Sequence, residues 1–366
     1  MIIKFDVESD LYWQIENLIR EGKYQDVIQF IKIATINQLE EEKSGSTSPE
    51  GRDNFQSSGT VKAKSVDTFT DYDSKKIDLA NLQFEESEIK RKCKDFIWSF
   101  HNRFFPVKIA IFSLASLVTS EKPWYDLEEW KEIATISAQG WYKVLREFEL
   151  ENDFKMHQRM TIGLPTHNFE LTRVKKKSEK LKLQKKIESS KNRFANQFVG
   201  RFNKKNETME GACFLMNLIS VKFSGSRCLV SLTKLGKKLA LLENPLFKKD
   251  FTKVFSNEEV QLIHSEIISK FKTEQQIIKD IIEELKQKTL TSNQIQDIFT
   301  GYKKLIFEYA SDKPEELDEN QKKDKIIQVR VATMGRLSEL KIVDWDVINS
   351  ISHYSINKEK ITLLGI

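Results

Sequence analysis

Chain breakers are scarce in this sequence. Its 366 residues include only 13 glycines and 6 prolines, well below ordinary usage. Helix interiors exclude both residues, so this scarcity beside abundant Lys, Glu, Leu and Ile dictates a mainly α fold. The length implies two to three domains, each able to bury a core. A hydrophobic content of 39%, with 24 Phe and 6 Trp, suits a soluble globular protein. No apolar run reaches the ~18–20 residues that span a bilayer. The opening MIIKFDVESD lacks the basic-then-apolar pattern of a signal peptide. Three scattered cysteines, Cys93, Cys213 and Cys228, form no disulfide framework, and a reducing cytoplasm is the expected location.

The charge is concentrated in one stretch. Residues 172–205 carry 13 Lys and Arg against two acids, Glu179 and Glu188, a net of +11; the whole chain is +5, so the remainder is −6. Such a concentration on an otherwise acidic molecule is the footprint of a polyanion partner. Leu183, Ile187, Phe194, Phe198 and Phe202 recur at helical spacing, which predicts a basic amphipathic helix over 171–205 that docks by one face. Arg173, Lys175, Lys176, Lys177, Lys180, Lys182, Lys185, Lys186, Lys191 and Arg193 are then the phosphate contacts.

Residues 1–41 read as a strand and two helices. Ile3, Phe5 and Val7 alternate as on a half-buried strand. Ser9 or Asp10 can cap a helix bearing Leu11, Ile15, Leu18 and Ile19, which ends at Gly22. A second helix carries Val27, Ile28, Ile31, Ala34 and Leu39. With IIKFDV, the Gly22-Lys23-Tyr24 corner and the Phe30-Ile31…Ala34 pattern, this segment resembles the ribbon-helix-helix family. The resemblance implies homodimerisation through 1–41 and a ribbon in the DNA major groove, with Lys4 facing the bases. Asp6 and Asp26 suit a phosphate poorly and favour the dimer over the DNA contact. Residues 42–78, rich in Ser, Thr, Gly and Asp, read as a flexible linker.

Three further units follow. In 79–170, a helix ends near Phe104, and Pro106 fits the first turn of VKIAIFSLASLV. Asp126 caps LEEWKEIATIS, and another helix covers Gln139–Phe148. These helices, followed by extended KMHQRMTIG, resemble a winged helix-turn-helix domain. Gln139, Tyr142, Lys143 and Arg146 then point outward, with Lys143 and Arg146 as nucleic-acid contacts. In 206–250, EGACFLMNLISVKF runs from helix to strand, the chain turns at Ser224-Gly225-Ser226-Arg227, and Cys228–Leu232 returns. Thr233 then caps TKLGKKLALL, an ending similar to that of a winged helix. In 251–366, Ser256-x-x-Glu259 forms a capping box. A helix opens at Thr273-Glu274, Thr291 or Ser292 precedes QIQDIFTGYKKLIF, and IIQVRVATMGRLSELKI leads into a wing of Val343–Trp345 and Tyr354–Leu364 with Asn357-Lys358 at its tip. On that helix Arg330, Thr333, Arg336 and Lys341 are the expected outward base or phosphate contacts.

The fold class is thus mainly α, a ribbon-helix-helix module plus several winged-helix modules. The domain order is similar to that of uncharacterised archaeal DNA-binding regulators. The sequence has no GxxxxGK[ST], HExxH, GxSxG or GxGxxG, and its five histidines are scattered, His157 and His167 included, so an enzyme, a metal site and a cofactor are not expected. The expected function is a non-enzymatic, dimeric regulator or architectural factor on double-stranded DNA, with no membrane partner. Residues 173–205 supply affinity, and Arg336→Ala relaxes specificity. The alternative is a scaffold whose winged helices bind protein and whose basic helix binds an acidic partner; RNA binding ranks third.

Overall fold

An almost wholly buried helix stands at the centre of the described chain. In the computed structural model the described residues are 77, 79–89, 95–97, 101–311 and 313–366. Of the two compact units, Met1–Lys62 and Ala63–Ile366, the first lies outside them, and with it the expected ribbon-helix-helix module and Lys4. Almost all of the expected linker lies outside them as well. The described part is mainly helical, at 58% helix and 12% strand.

Helix α1, Phe105–Ala115, has Pro in its first turn and ten of its 11 residues buried. Apart from Lys108 and Ser113 the helix is apolar on all sides, and such a helix belongs in a core. Phe105 meets the rings of Trp141, Phe247 and Phe255 at centroid distances of 6.5, 5.9 and 6.4 Å. Strand β1, Tyr125–Asp126, leads into α2, Leu127–Glu151, where the Asp126 carboxylate accepts from the N–H groups of Glu128 and Glu129. The two helices expected here are one helix of 25 residues. Ala138 and Gly140 lie on its buried face, and no proline or cap interrupts the backbone ladder between Ser137 and Trp141. The extended segment expected after it is a single 3-10 turn, Met156–Gln158, followed by further turns.

Helix α3, Lys177–Arg193, continues into a π-helical turn, Phe194–Val199, whose Phe194, Phe198 and Val199 are buried. The helix expected to reach Lys205 stops there. Gly200 turns the chain (φ 155°) into a hairpin of β2, Arg201–Asn203, and β3, Thr208–Glu210.

The next segment folds as the sequence predicts. Helix α4, Ala212–Leu215, precedes β4, Ile219–Ser224, and β5, Arg227–Leu232. Thr233 then caps α5, Lys234–Leu241, by accepting from the Gly236 N–H. Gly236 passes so close to β4's entry that a Cβ there would sit 1.9 Å from the Leu218 carbonyl oxygen. The sheet order is β1-β5-β4, with Tyr125 opposite Val230. Segments 79–170 and 206–250, expected as separate domains, therefore share one sheet, and residues 152–211 form an excursion from it.

Helix α6, Asn257–Leu262, has the expected Ser256/Glu259 capping box, and α7 covers Lys272–Gln287. Strand β6, Leu290–Thr291, precedes α8, Ser292–Gly301, capped by Thr291. The single helix expected over QIQDIFTGYKKLIF is interrupted at Tyr302, after which α9 covers Lys303–Ala310. Helix α10, Glu319–Glu339, opens on an Asp318/Gln321 capping box. Strands β7, Val343–Ile348, and β8, Ile351–Ile356, close the second sheet in the order β6-β8-β7. Their turn is Asn349-Ser350, with φ 50° and 63°, the left-handed pair that a two-residue hairpin turn needs. The expected tip, Asn357-Lys358, instead starts α11, Lys358–Leu364, with the Asn357 side chain accepting from the Lys360 N–H.

Candidate nucleic-acid interface

Helix α3 stands out of the body as a cationic arm. Every residue from Lys175 to Lys182 is exposed, and within α3 only Ile187 is buried. At ~100° per residue, Lys182, Lys185, Lys186 and Arg193 lie on the side away from Ile187. Ser190, on the inner side, accepts from the Thr166 N–H at 3.0 Å and fixes the arm's root to the preceding loop. Three pairs temper the charge: Arg173–Glu170 at 3.8 Å, Lys176–Glu179 at 3.5 Å and Lys191–Glu188 at 2.7 Å. Lys175, Lys177, Lys180, Lys182, Lys185, Lys186 and Arg193 have no acidic partner within 4.0 Å among the described residues. Exposed cations of this kind offer hydrogen-bond donors that no carboxylate of the described residues occupies.

The expected contacts on α2 fare differently. Lys143 is exposed. The Arg146 side chain, 15% exposed, is held by Glu149 at 3.4 Å and Glu170 at 3.3 Å. Gln139 donates to the Thr166 carbonyl at 3.0 Å, and Tyr142 donates to Glu170 at 3.2 Å. Burial and the Glu170 carboxylate push the Tyr142 hydroxyl up to about 12. The face read as outward is thus spent on seating loop 159–173. Glu149 joins in: its buried carboxylate accepts from the Thr161 N–H and hydroxyl at 2.8 and 2.9 Å.

Helix α10 overturns the outward placement of its residues. Every residue from Ala332 to Leu337 is buried. Thr333 is 0% and Arg336 2% exposed. Arg336 pairs with the buried carboxylate of Glu274 and donates to the His101 carbonyl at 2.6 Å. Thr333 donates to the same Glu274 at 3.0 Å. Arg330 is half-buried and donates to the Ser292 carbonyl at 2.7 Å. Lys341 alone of the four is exposed. An arginine in an amphipathic run reads as solvent-facing; the partner that takes it inside, Glu274, lies 62 residues earlier and leaves no local trace. Gly335 serves the same packing, since a Cβ there would stand 2.1 Å from the Arg103 Nη1.

The β2–β3 hairpin takes up the end of the basic stretch, Arg201, Lys204 and Lys205, which the sequence places on one continuous helix to 205. Phe194, Phe198 and Phe202 keep a four-residue spacing across the end of the helix, which masks the break. The signals present were Gly200 and Gly211 flanking the segment and the polar run Asn203-Lys204-Lys205-Asn206. Among the described residues, no three His, Cys, Asp or Glu side chains are grouped to hold a metal. No helix there is long and apolar enough to cross a membrane. His167 Nδ1 accepts from the Phe169 N–H at 3.0 Å, and the His157 ring lies 5.3 Å from that of Trp345. Burial pushes the Cys228 thiol up to about 11 and the wholly buried Cys213 thiol further. In comparison with known proteins, the chain matches no family model, no curated relative and no solved structure.

Proposed function

We propose that the protein binds double-stranded DNA through the phosphate backbone, with α3 as the main contact. The observation that carries this reading is the row of exposed cations without an acidic partner among the described residues, on a helix of which only Ile187 is buried. Backbone contacts of this kind supply affinity and no sequence choice. Base reading by Arg330, Thr333 and Arg336 is set aside, because those side chains are engaged inside the protein. Sequence choice and dimerisation are proposed for the N-terminal ribbon with Lys4. The two sheets support a winged-helix reading of the body, since each combines a short strand before a helix with a later hairpin whose second strand is central.

The test is fluorescence anisotropy with random duplex DNA across a salt series. If six α3 cations each meet a phosphate, log affinity falls against log salt with a slope of about −5. Replacing Lys182, Lys185 and Lys186 by Ala reduces that slope by about 3. Deleting 172–205 is unsuitable, because Phe194 and Phe198 belong to the core. A salt-independent or absent interaction overturns the reading.

A second reading, an interaction scaffold, draws on the β7–β8 hairpin. Ile348 and Ile351 at its tip are 55% and 45% exposed, and Asp344 and Asp346 on β7 repel phosphate. That hairpin suits a protein surface. Stoichiometric co-purification of a protein, lost on replacing both isoleucines by Asp, supports it.

A further inference from the structure

We infer that the β2–β3 hairpin is a second backbone contact on the same DNA, set at a fixed reach from the root of α3. The inference rests on the proposed function of α3 and adds residues from a different element.

The hairpin is built to hold its tip still. Phe202 and Met209 face each other across it and turn inward. Met209 is buried, and the Phe202 ring packs 4.8 Å from that of Phe223 on β4. At its base Gly200 and Gly211 touch: a Cβ on Gly211 would stand 2.6 Å from the Gly200 Cα. Two side chains cannot come that close, so glycine at both positions permits the crossing. On the outer face Arg201 pairs with Glu210 at 2.7 Å, which spends its charge. At the tip, the Asn203 carboxamide oxygen accepts from the Lys205 N–H at 3.1 Å and orders the turn. Lys204 and Lys205 are exposed and have no acidic partner within 4.0 Å among the described residues.

The connection to α3 is short and buried. Only the π-helical turn Phe194–Val199 and Gly200 lie between them, and Phe194, Phe198 and Val199 are buried in the core. The tip and the root of the arm are therefore tied to one core, and two cationic elements joined in this way lose less freedom on binding than two independent ones. Neither lysine packs on anything the fold requires, so both are open to substitution.

The test compares Lys204→Ala/Lys205→Ala with Lys270→Ala/Lys272→Ala, which removes equal charge from two other exposed positions. Both are made in the full chain and measured by anisotropy on random duplex DNA from about 50 to 200 mM salt. The tip variant is expected to lose about 1.8 from the salt slope, so that its deficit relative to wild type shrinks about twelvefold across that range. The control pair is expected to leave the slope unchanged. An unchanged slope in the tip variant, or an equal change in both variants, overturns the inference while leaving α3 in place. Failure of wild type to bind duplex DNA removes the reading on which it rests.

Discussion

The ammonium of Lys108 and the carboxylate of Glu259 meet 2.9 Å apart with neither side chain exposed to solvent. Lys108 also donates to the carbonyls of Leu239 and Leu242, at 2.6 and 2.7 Å. It thereby satisfies the open C-terminal end of α5 from the first turn of α1. Glu259 in turn accepts from the Asn244 amide at 3.0 Å, and Asn244 donates to the Val254 carbonyl at 2.9 Å. Burial pushes the lysine down and the carboxyl up, and each charge offsets the shift of the other. Lys108→Met is expected to cost about 3–5 kcal/mol, because it strands a buried carboxylate. The double variant with Glu259→Gln is expected to lose less than the two single changes summed. Urea unfolding of the four proteins measures this; a single-variant cost below about 1 kcal/mol contradicts it.

Arg336→Ala separates a base contact from a core contact. Its guanidinium is enclosed with Glu274 and Thr333, so the expected outcome is a stability loss of about 3–5 kcal/mol. At a temperature where the variant is still folded, its preference among DNA sequences is expected to match wild type. A stable variant with relaxed sequence preference refutes this placement.

Two glycines make opposite predictions. Gly236→Ala brings a Cβ against the Leu218 backbone and is expected to destabilise by about 2–3 kcal/mol or more. Gly301, in α8, has nothing within 4 Å of an added Cβ, and Gly301→Ala is expected to stabilise by about 0.5–1 kcal/mol. Thermal melts of both variants decide. Equal signs would show that packing at Gly236 is looser than described.

Two buried groups, Glu339 at the end of α10 and His101 beside it, respond to pH in opposite senses. Burial pushes the Glu339 carboxyl up to about 7 from its ordinary 4.5, although Arg103 and the N–H groups of Phe104 and Phe105 resist. The folded chain then keeps a proton there that the unfolded chain loses, so this contribution is complete below pH 4.5 and gone above 7. Glu339→Gln removes the dependence, and its stability relative to wild type is expected to rise by about 3 kcal/mol between pH 4.5 and 7. Burial, then the Arg336 charge, lower His101 from 6.5 to about 3. Its contribution is complete above pH 6.5 and declines below it. From 4.5 to 6.5 the two oppose each other in wild type. Urea midpoints across this range test both, and a variant-to-wild-type difference independent of pH refutes the Glu339 assignment.

Local chemistry was legible in the sequence. Asp126, Thr233, Ser256 with Glu259, and Thr291 cap the helices expected of them, because a cap needs only residues two or three positions away. The α4–β4–β5–α5 order was readable for the same reason. Long-range partners were not. Nothing near Arg336 announces Glu274, nothing near Lys108 announces Glu259, and the β1–β5 pairing joins Tyr125 to Val230 and Asp126 to Leu229 across more than 100 positions of sequence. The basic stretch was located correctly by charge, and exposure of its lysines follows from their cost of burial. Its division into arm, turn and hairpin depended on two glycines whose contact only the fold reveals.

The arm has one more consequence, for how the protein is cut. A lysine-rich helix surrounded by water must keep its shape unaided, and short unsupported helices open readily. Among the described residues, trypsin is thus offered a run of exposed sites between Lys175 and Lys186, inside an excursion whose two ends return to the same sheet. The severed pieces stay joined through Tyr125 and Val230 and through the shared core. Nicked protein would travel as a single species until denatured, and bound polyanion would shield the scissile bonds.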